Sequence, residues 1–169
     1  MRIKTASLML YCVSLISVAS PVAVANEANF YWRVGDVFVE QAWARVVSGG
    51  LQSGAVYLTI HNLSPSPDIL LAVDSPASKT MVIHESQRVG DKVSMQPLPD
   101  GVALSSRAEV VMRPGKIHVM LVGVSETVKA GRSLPVRVAF RNAGALNFDV
   151  PVIPLSLGDP EPVHMVHEN

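Results

Sequence analysis

The feature that most constrains this chain is a succession of short β-type runs with no competing helical period. They are Val37 to Val47, Ala55 to His61, Ile69 to Val73, Met81 to Glu85, Ala108 to Met112, Ile117 to Val122, Pro135 to Phe140 and Leu146 to Val152. Each is rich in Val, Ile, Leu or aromatic residues, and several alternate. Ala55, Tyr57 and Thr59 stand against Val56, Leu58 and Ile60; Val136, Val138 and Phe140 stand against Arg137, Ala139 and Arg141. Turn chemistry separates the runs at Ser48-Gly49-Gly50, Ser64-Pro65-Ser66-Pro67, Pro99-Asp100-Gly101, Arg113-Pro114-Gly115 and Asn142-Ala143-Gly144. Short strands at this spacing predict an all-β fold, a sandwich or barrel of Greek-key type, in one domain spanning residues 26–152.

The two ends read differently. Arg2 and Lys4 precede an apolar stretch, Ala6 to Val18, that is shorter than the ~20 residues a bilayer span needs. Ala23-Val24-Ala25 follows as a small-x-small cleavage site, so residues 1–25 are expected to be a secretory signal peptide. Cys12 lies inside the apolar run rather than at its end, which argues against lipidation. It is also the only cysteine, so the processed chain is expected to have no thiol for a disulfide, a nucleophile or a ligand. Without Arg2 and Lys4 the 14 basic residues fall to 12, against 14 acidic ones. That balance, with no basic run, argues against nucleic acid as the partner. The processed chain is expected to be soluble. Residues 153–169, with prolines at 154, 160 and 162, read as a flexible extension outside the core.

Two residues stand out within the strands. In Ile117 to Val122, a period of two puts His118 and Met120 on one face and Ile117, Val119 and Leu121 on the other. The second set suits a core. The first is aimed together, either into a metal site or at the rim of the protein. His84 ends another run, and the polar turn Val89-Gly90-Asp91-Lys92 can fold Met95 back toward it as a hairpin. Two imidazoles and two thioethers form a soft, neutral donor set that favours Cu(I). Zinc usually recruits thiolate or carboxylate, and calcium or magnesium needs oxygen. Taken singly, a strand histidine is more often structural and a methionine more often core filler. Met81 and Met112, with no histidine two residues away, read as filler. His61 reads as a strand-end surface residue.

As an ordered set these residues resemble the periplasmic copper chaperones called PCu(A)C. The resemblance covers about Val37 to Val152. It runs through Ala42-Trp43-Ala44-Arg45, the segment Gly54-Ala55-Val56-Tyr57-Leu58-Thr59-Ile60-His61-Asn62, and the pair His84-Glu85. Met95 follows after ten intervening residues, and the pattern closes on His118-Val119-Met120 after a Pro-Gly turn. The resemblance implies a cupredoxin-like β-sandwich, and a Cu(I) site at His84, Met95, His118 and Met120. It also implies delivery of copper to the CuA site of cytochrome c oxidase subunit II in the periplasm, alongside Sco-type thiol chaperones, without enzymatic activity. Ser86 departs from the pattern, since many members have Met or His at that place. In the tail, His164-Met165-Val166-His167 offers a second copper site, Cu(II) through imidazoles; the alternative is a solvated tail that binds nothing. A general copper storage or resistance protein, and a metal-free adhesion or assembly module, are the competing functions. An electron-transfer blue-copper site needs a Cys thiolate and is disfavoured. No G-x-S-x-G or H-E-x-x-H motif points to a hydrolase.

Overall fold

The computed structural model describes residues 31–47 and 52–160. Eleven strands appear among them: β1 (Tyr31–Val34), β2 (Val37–Val47), β3 (Ser53–Asn62), β4 (Asp68–Asp74), β5 (Ser78–Val89), β6 (Lys92–Pro97), β7 (Val102–Leu104), β8 (Ala108–Met112), β9 (Ile117–Val124), β10 (Ser133–Phe140) and β11 (Ala145–Pro151). They form two antiparallel sheets. The larger runs β1-β2-β3-β9-β5-β6, with β8 also pairing β3; the smaller runs β11-β10-β4-β7. The expected all-β sandwich is thus what the chain builds. Each of the eight runs read from the sequence lies on a strand; β1, β6 and β7 are additional. Among the described residues no helix is long and apolar enough to cross a membrane.

The core lies between the sheets, and alternation decides which residues fill it. Val56, Leu58 and Ile60 of β3, Val119 and Leu121 of β9, and Ile83 of β5 are buried from the larger sheet. Leu70, Leu104, Leu134, Val136, Val138 and Val150 meet them from the smaller one. Met112 is fully buried and Met81 packs against the core, so both are filler as expected.

One irregularity matters for the site. β2 buries Val37 and Val39, then Ala42 and Ala44, so its inward set switches from odd to even numbers. A β-bulge between Glu40 and Trp43, with Gln41 at φ 50°, makes the switch. Its consequence is that Trp43 and Arg45 point to the outer face of the larger sheet, beside Tyr57 and Ala55 of β3.

Residues 153–160, read from the sequence as part of a flexible extension, are tied to this same region. Val152 bridges Ala44 in parallel, and the Ile153 amide donates to the Ala44 carbonyl at 2.9 Å. Arg45 then donates to the Leu157 carbonyl at 2.5 Å and to the Asp159 carboxylate at 2.7 Å. The segment therefore leaves the smaller sheet, meets β2 at Ala44, beyond the residues that β1 pairs, and crosses onto the outer face. Apolar periodicity carries no sign of such a contact, because polar groups more than a hundred residues apart make it.

Candidate metal centre on the outer face of the larger sheet

The four candidate ligands come from three adjacent strands. On β9 and β5, His118 pairs directly with His84, while Met120 pairs with Val82. Across the β5–β6 hairpin Met95 pairs with Ser86, and His84 pairs with Pro97. Direct partners share a face, as do residues two apart on a strand. His84, Ser86, Met95, His118 and Met120 therefore all lie on the outer face, away from Val119 and Ile83. The turn read from the sequence does form a hairpin, with Gly90 at φ 63°, but its register sets Met95 one pair beyond His84 rather than opposite it. Met120 is one pair away on the other side. The two imidazoles thus form the centre, with a thioether diagonal to His84 on each flank.

The two histidines differ in their surroundings. The ring centroids are 6.0 Å apart, and His118 is buried although it faces outward. Aromatic side chains continue the row away from it. Tyr57 lies 6.4 Å from His118 by centroid, and Trp43 lies 4.2 Å from Tyr57. The Arg45 guanidinium sits 5.0 Å from the Trp43 ring centre, within cation–π range. His118 Nδ1 is 3.0 Å from the Lys116 carbonyl. A carbonyl can only accept, so Nδ1 carries a hydrogen, and in the neutral ring that leaves the lone pair on Nε2. A backbone partner that fixes the tautomer in this way is characteristic of metal-binding histidines. The partner is set by the Arg113-Pro114-Gly115-Lys116 turn, in which the Lys116 amide donates to the Arg113 carbonyl at 3.1 Å and Gly115 takes φ 73°.

His84 supplies a second sign. Its Nδ1 is buried without a hydrogen-bond partner. An orphaned buried polar atom costs about 1–3 kcal/mol unless something occupies it. A soft metal ion would answer that deficit where nothing among the described residues does. Among the described residues no group of three or more His, Cys, Asp or Glu side chains is placed to hold a metal ion. The donors that the strand registers put together on this face are the two imidazoles and, diagonal to them, the thioethers of Met95 and Met120.

The structure also gives roles to residues whose local pattern does not reveal them. His61 is not a simple surface residue. Its Nε2 is 2.8 Å from a Glu40 carboxylate oxygen and its Nδ1 is 3.6 Å from Glu109, on the same outer face but farther along β3. Sequence separation hides this triad, which the β2–β3 and β3–β8 registers assemble. Tyr57 and Trp43 belong, in the sequence, only to the segments that carry the family resemblance; the bulge at Gln41 brings Trp43 beside Tyr57. Ser86 faces Met95, so the extra donor missing from the sequence is missing from the Met95 flank of the histidine pair. His164, Met165 and His167, like the expected signal peptide and Cys12, lie outside the described residues.

Burial holds the Tyr57 phenol above its ordinary pKa; Arg45 opposes the shift and Asp159 adds to it. A raised phenol favours the neutral form in the fold. Its contribution to stability is complete below about pH 10 and is lost as pH rises through the folded value. Tyr57→Phe should therefore lose less stability than the unaltered protein above about pH 10. Urea midpoints measured across alkaline pH check this; identical alkaline profiles would contradict it.

A cupredoxin-like β-sandwich with paired histidines and flanking methionines on one outer face defines the class. Residues 37–152 match the family described as "Putative lipoprotein LpqE-like", and the chain belongs to that family. A relative from Leifsonia xyli subsp. xyli, "Putative lipoprotein Lxx21020", is 24% identical over 116 residues, covering 69% of either chain. Among solved structures, the copper-bound PCuAC domain from PmoF2 is similar with TM-score 0.61 and 25% identity, over 73% of this chain and 97% of that one. The apo form of DR1885 from Deinococcus radiodurans is similar in fold, with TM-score 0.55 and 18% identity over 87% and 95%. The PCu(A)C resemblance read from the sequence and these structural likenesses agree.

Proposed function

We propose that this protein is an exported copper carrier that holds Cu(I) through His84, His118, Met95 and Met120. The observation that carries the reading is the convergence of the two histidines on one outer face, with the His118 tautomer fixed by Lys116 and the His84 nitrogen orphaned. The likeness to a copper-bound PCuAC domain supports copper as the cargo. Neutral thioethers and imidazoles suit Cu(I), and they bind it without the thiolates an oxidising compartment would consume. Export is supported by the leader-like N-terminus and by relatives described as lipoproteins. Delivery to the CuA site of cytochrome c oxidase, with Sco-type chaperones as co-workers, rests on the sequence resemblance, as does the absence of enzymatic activity.

Loading the protein with Cu(I) under reducing conditions tests the reading. About one tightly held ion per sandwich domain is expected, and X-ray absorption should count both nitrogen and sulfur neighbours. A first shell of nitrogen and oxygen alone would exclude the thioethers. No uptake at micromolar metal would favour a metal-free binding module. Transfer of the bound copper to an apo CuA domain separates delivery from storage, which predicts retention.

A further inference from the structure

Among the described residues, the candidate site is sheltered on one side and bare on the other. Toward β3 and β2, Tyr57 stands beside His118 and Trp43 beside Tyr57, and Arg45 fastens residues 157 and 159 across the same face. His118 is accordingly only 7% exposed. Toward the other side the larger sheet ends at β6. Met95 is 55% exposed there, and Val93, its neighbour on the same face, is 56% exposed. β6 contributes no buried core residue, so displacing it locally disturbs little packing. By strand register the two methionines flank the imidazole pair on opposite sides, and they differ in access: Met120 is half-buried between β3 and β5, whereas Met95 is open to solvent.

This asymmetry rests on the copper reading and extends it. The geometry points to Met95 as the exchange ligand, the donor that an acceptor displaces first when copper is handed on. The step is a ligand substitution. A soft donor of the acceptor, a thiolate or thioether, forms a bond to Cu(I) as the bond from Met95 sulfur breaks. The metal stays Cu(I), no electron moves, and Met95 departs as a neutral thioether that needs no proton. His118 is the donor to which an incoming group has least access, so it is the last to release. The open flank also sets the direction of approach, over the β5–β6 hairpin rather than over Tyr57 and Trp43.

The test compares the unaltered chain with Met95→Leu and Met120→Leu, changes that nearly conserve volume. Each is loaded with one equivalent of Cu(I) and mixed with excess bicinchoninate, a chromogenic Cu(I) chelator. Release is followed by stopped flow, and affinity is measured separately by equilibrium competition. Met95→Leu should release copper about tenfold faster or more, with a smaller loss of affinity than Met120→Leu shows. Near-ultraviolet circular dichroism from Trp43 and Tyr57 confirms that both variants keep the fold. Release from Met95→Leu at the unaltered rate would overturn the assignment, as would equal acceleration in both variants in proportion to affinity. If the unaltered chain takes up no Cu(I), the copper reading fails and this inference with it. Uptake with either of the two preceding outcomes defeats the inference alone.

Discussion

His118→Ala is expected to lower Cu(I) affinity by more than ~100-fold, beyond the ~10–100-fold typical of losing a supporting partner around a metal. His118 is the donor with the most orientation already supplied. Lys116 fixes its tautomer, Tyr57 lies beside its ring, and the β5–β9 register holds it opposite His84. Such preorganisation means little ordering entropy remains to be lost on binding, so the lost affinity is close to the full value of the bond. Alanine also leaves His84 with no second imidazole to close a chelate. Adding Met120→Ala should abolish measurable binding. Competition against a Cu(I) chelator of known affinity checks both variants. Full affinity in the double variant would remove the site assignment, since no thioether or imidazole of β9 would then be needed.

This prediction leans on a feature that the amino-acid order alone displays. A strand has a side-chain period of two, so His118-Val119-Met120 within an apolar run places both donors opposite the core. The structure puts Val119 and Leu121 fully inside and His118 and Met120 on the other face. Eight strands are legible because their runs are rich in β-formers between turn residues, and several alternate. The three additional ones lack that signature. β7 is only Val102–Leu104, and β1 is four residues whose burial is partial. β6 is exposed along most of its length, so its composition reports no apolar face.

What the sequence hides is what depends on distant residues. The Gly90-Asp91 turn announces a hairpin, but not that Met95 stands opposite Ser86 instead of His84. The bulge at Gln41 cannot be read from alternation, yet it turns Trp43 and Arg45 toward the outer face that carries His84 and His118. Arg45 in turn captures Leu157 and Asp159, which converts residues 153–160 from an apparent loose end into a strap. His61 acquires two carboxylate neighbours in the same way. In each case a local pattern supplies the residue's face, and a long-range register supplies its partner. The exposure difference between Met95 and His118 follows from strand order, which leaves β6 at the sheet edge, and from the Tyr57 side chain beside His118; no local pattern contains either.

Stability and metal binding should be separable, and Asn62 shows how. It is fully buried at the end of β3, at the opposite end of that strand from the Ala55–Met120 pair. Its amide nitrogen donates to the carbonyls of Ser66 at 2.9 Å, Ser105 at 3.0 Å and Leu104 at 3.3 Å, so one of its two hydrogens is shared. Its oxygen accepts from the Ser64 amide at 3.0 Å. The side chain therefore closes the Ser64-Pro65-Ser66-Pro67 turn and ties it to the segment after β7. Alanine would remove every one of these bonds and leave backbone groups without partners, at about 1–3 kcal/mol for each that water cannot reach. Asn62→Ala should cost about 3 kcal/mol or more, a large share of the 5–15 kcal/mol that typically holds a domain folded. For a domain of this size that corresponds to a drop of about 10 °C in Tm. Below the transition, the variant should bind Cu(I) with unaltered affinity, because the His84–His118 pair is set by β5 and β9. Thermal unfolding and chelator competition on the same sample make the check. An unchanged Tm would mean water replaces the Asn62 amide, and a parallel fall in affinity would mean the β3 turn and the metal face move as one unit.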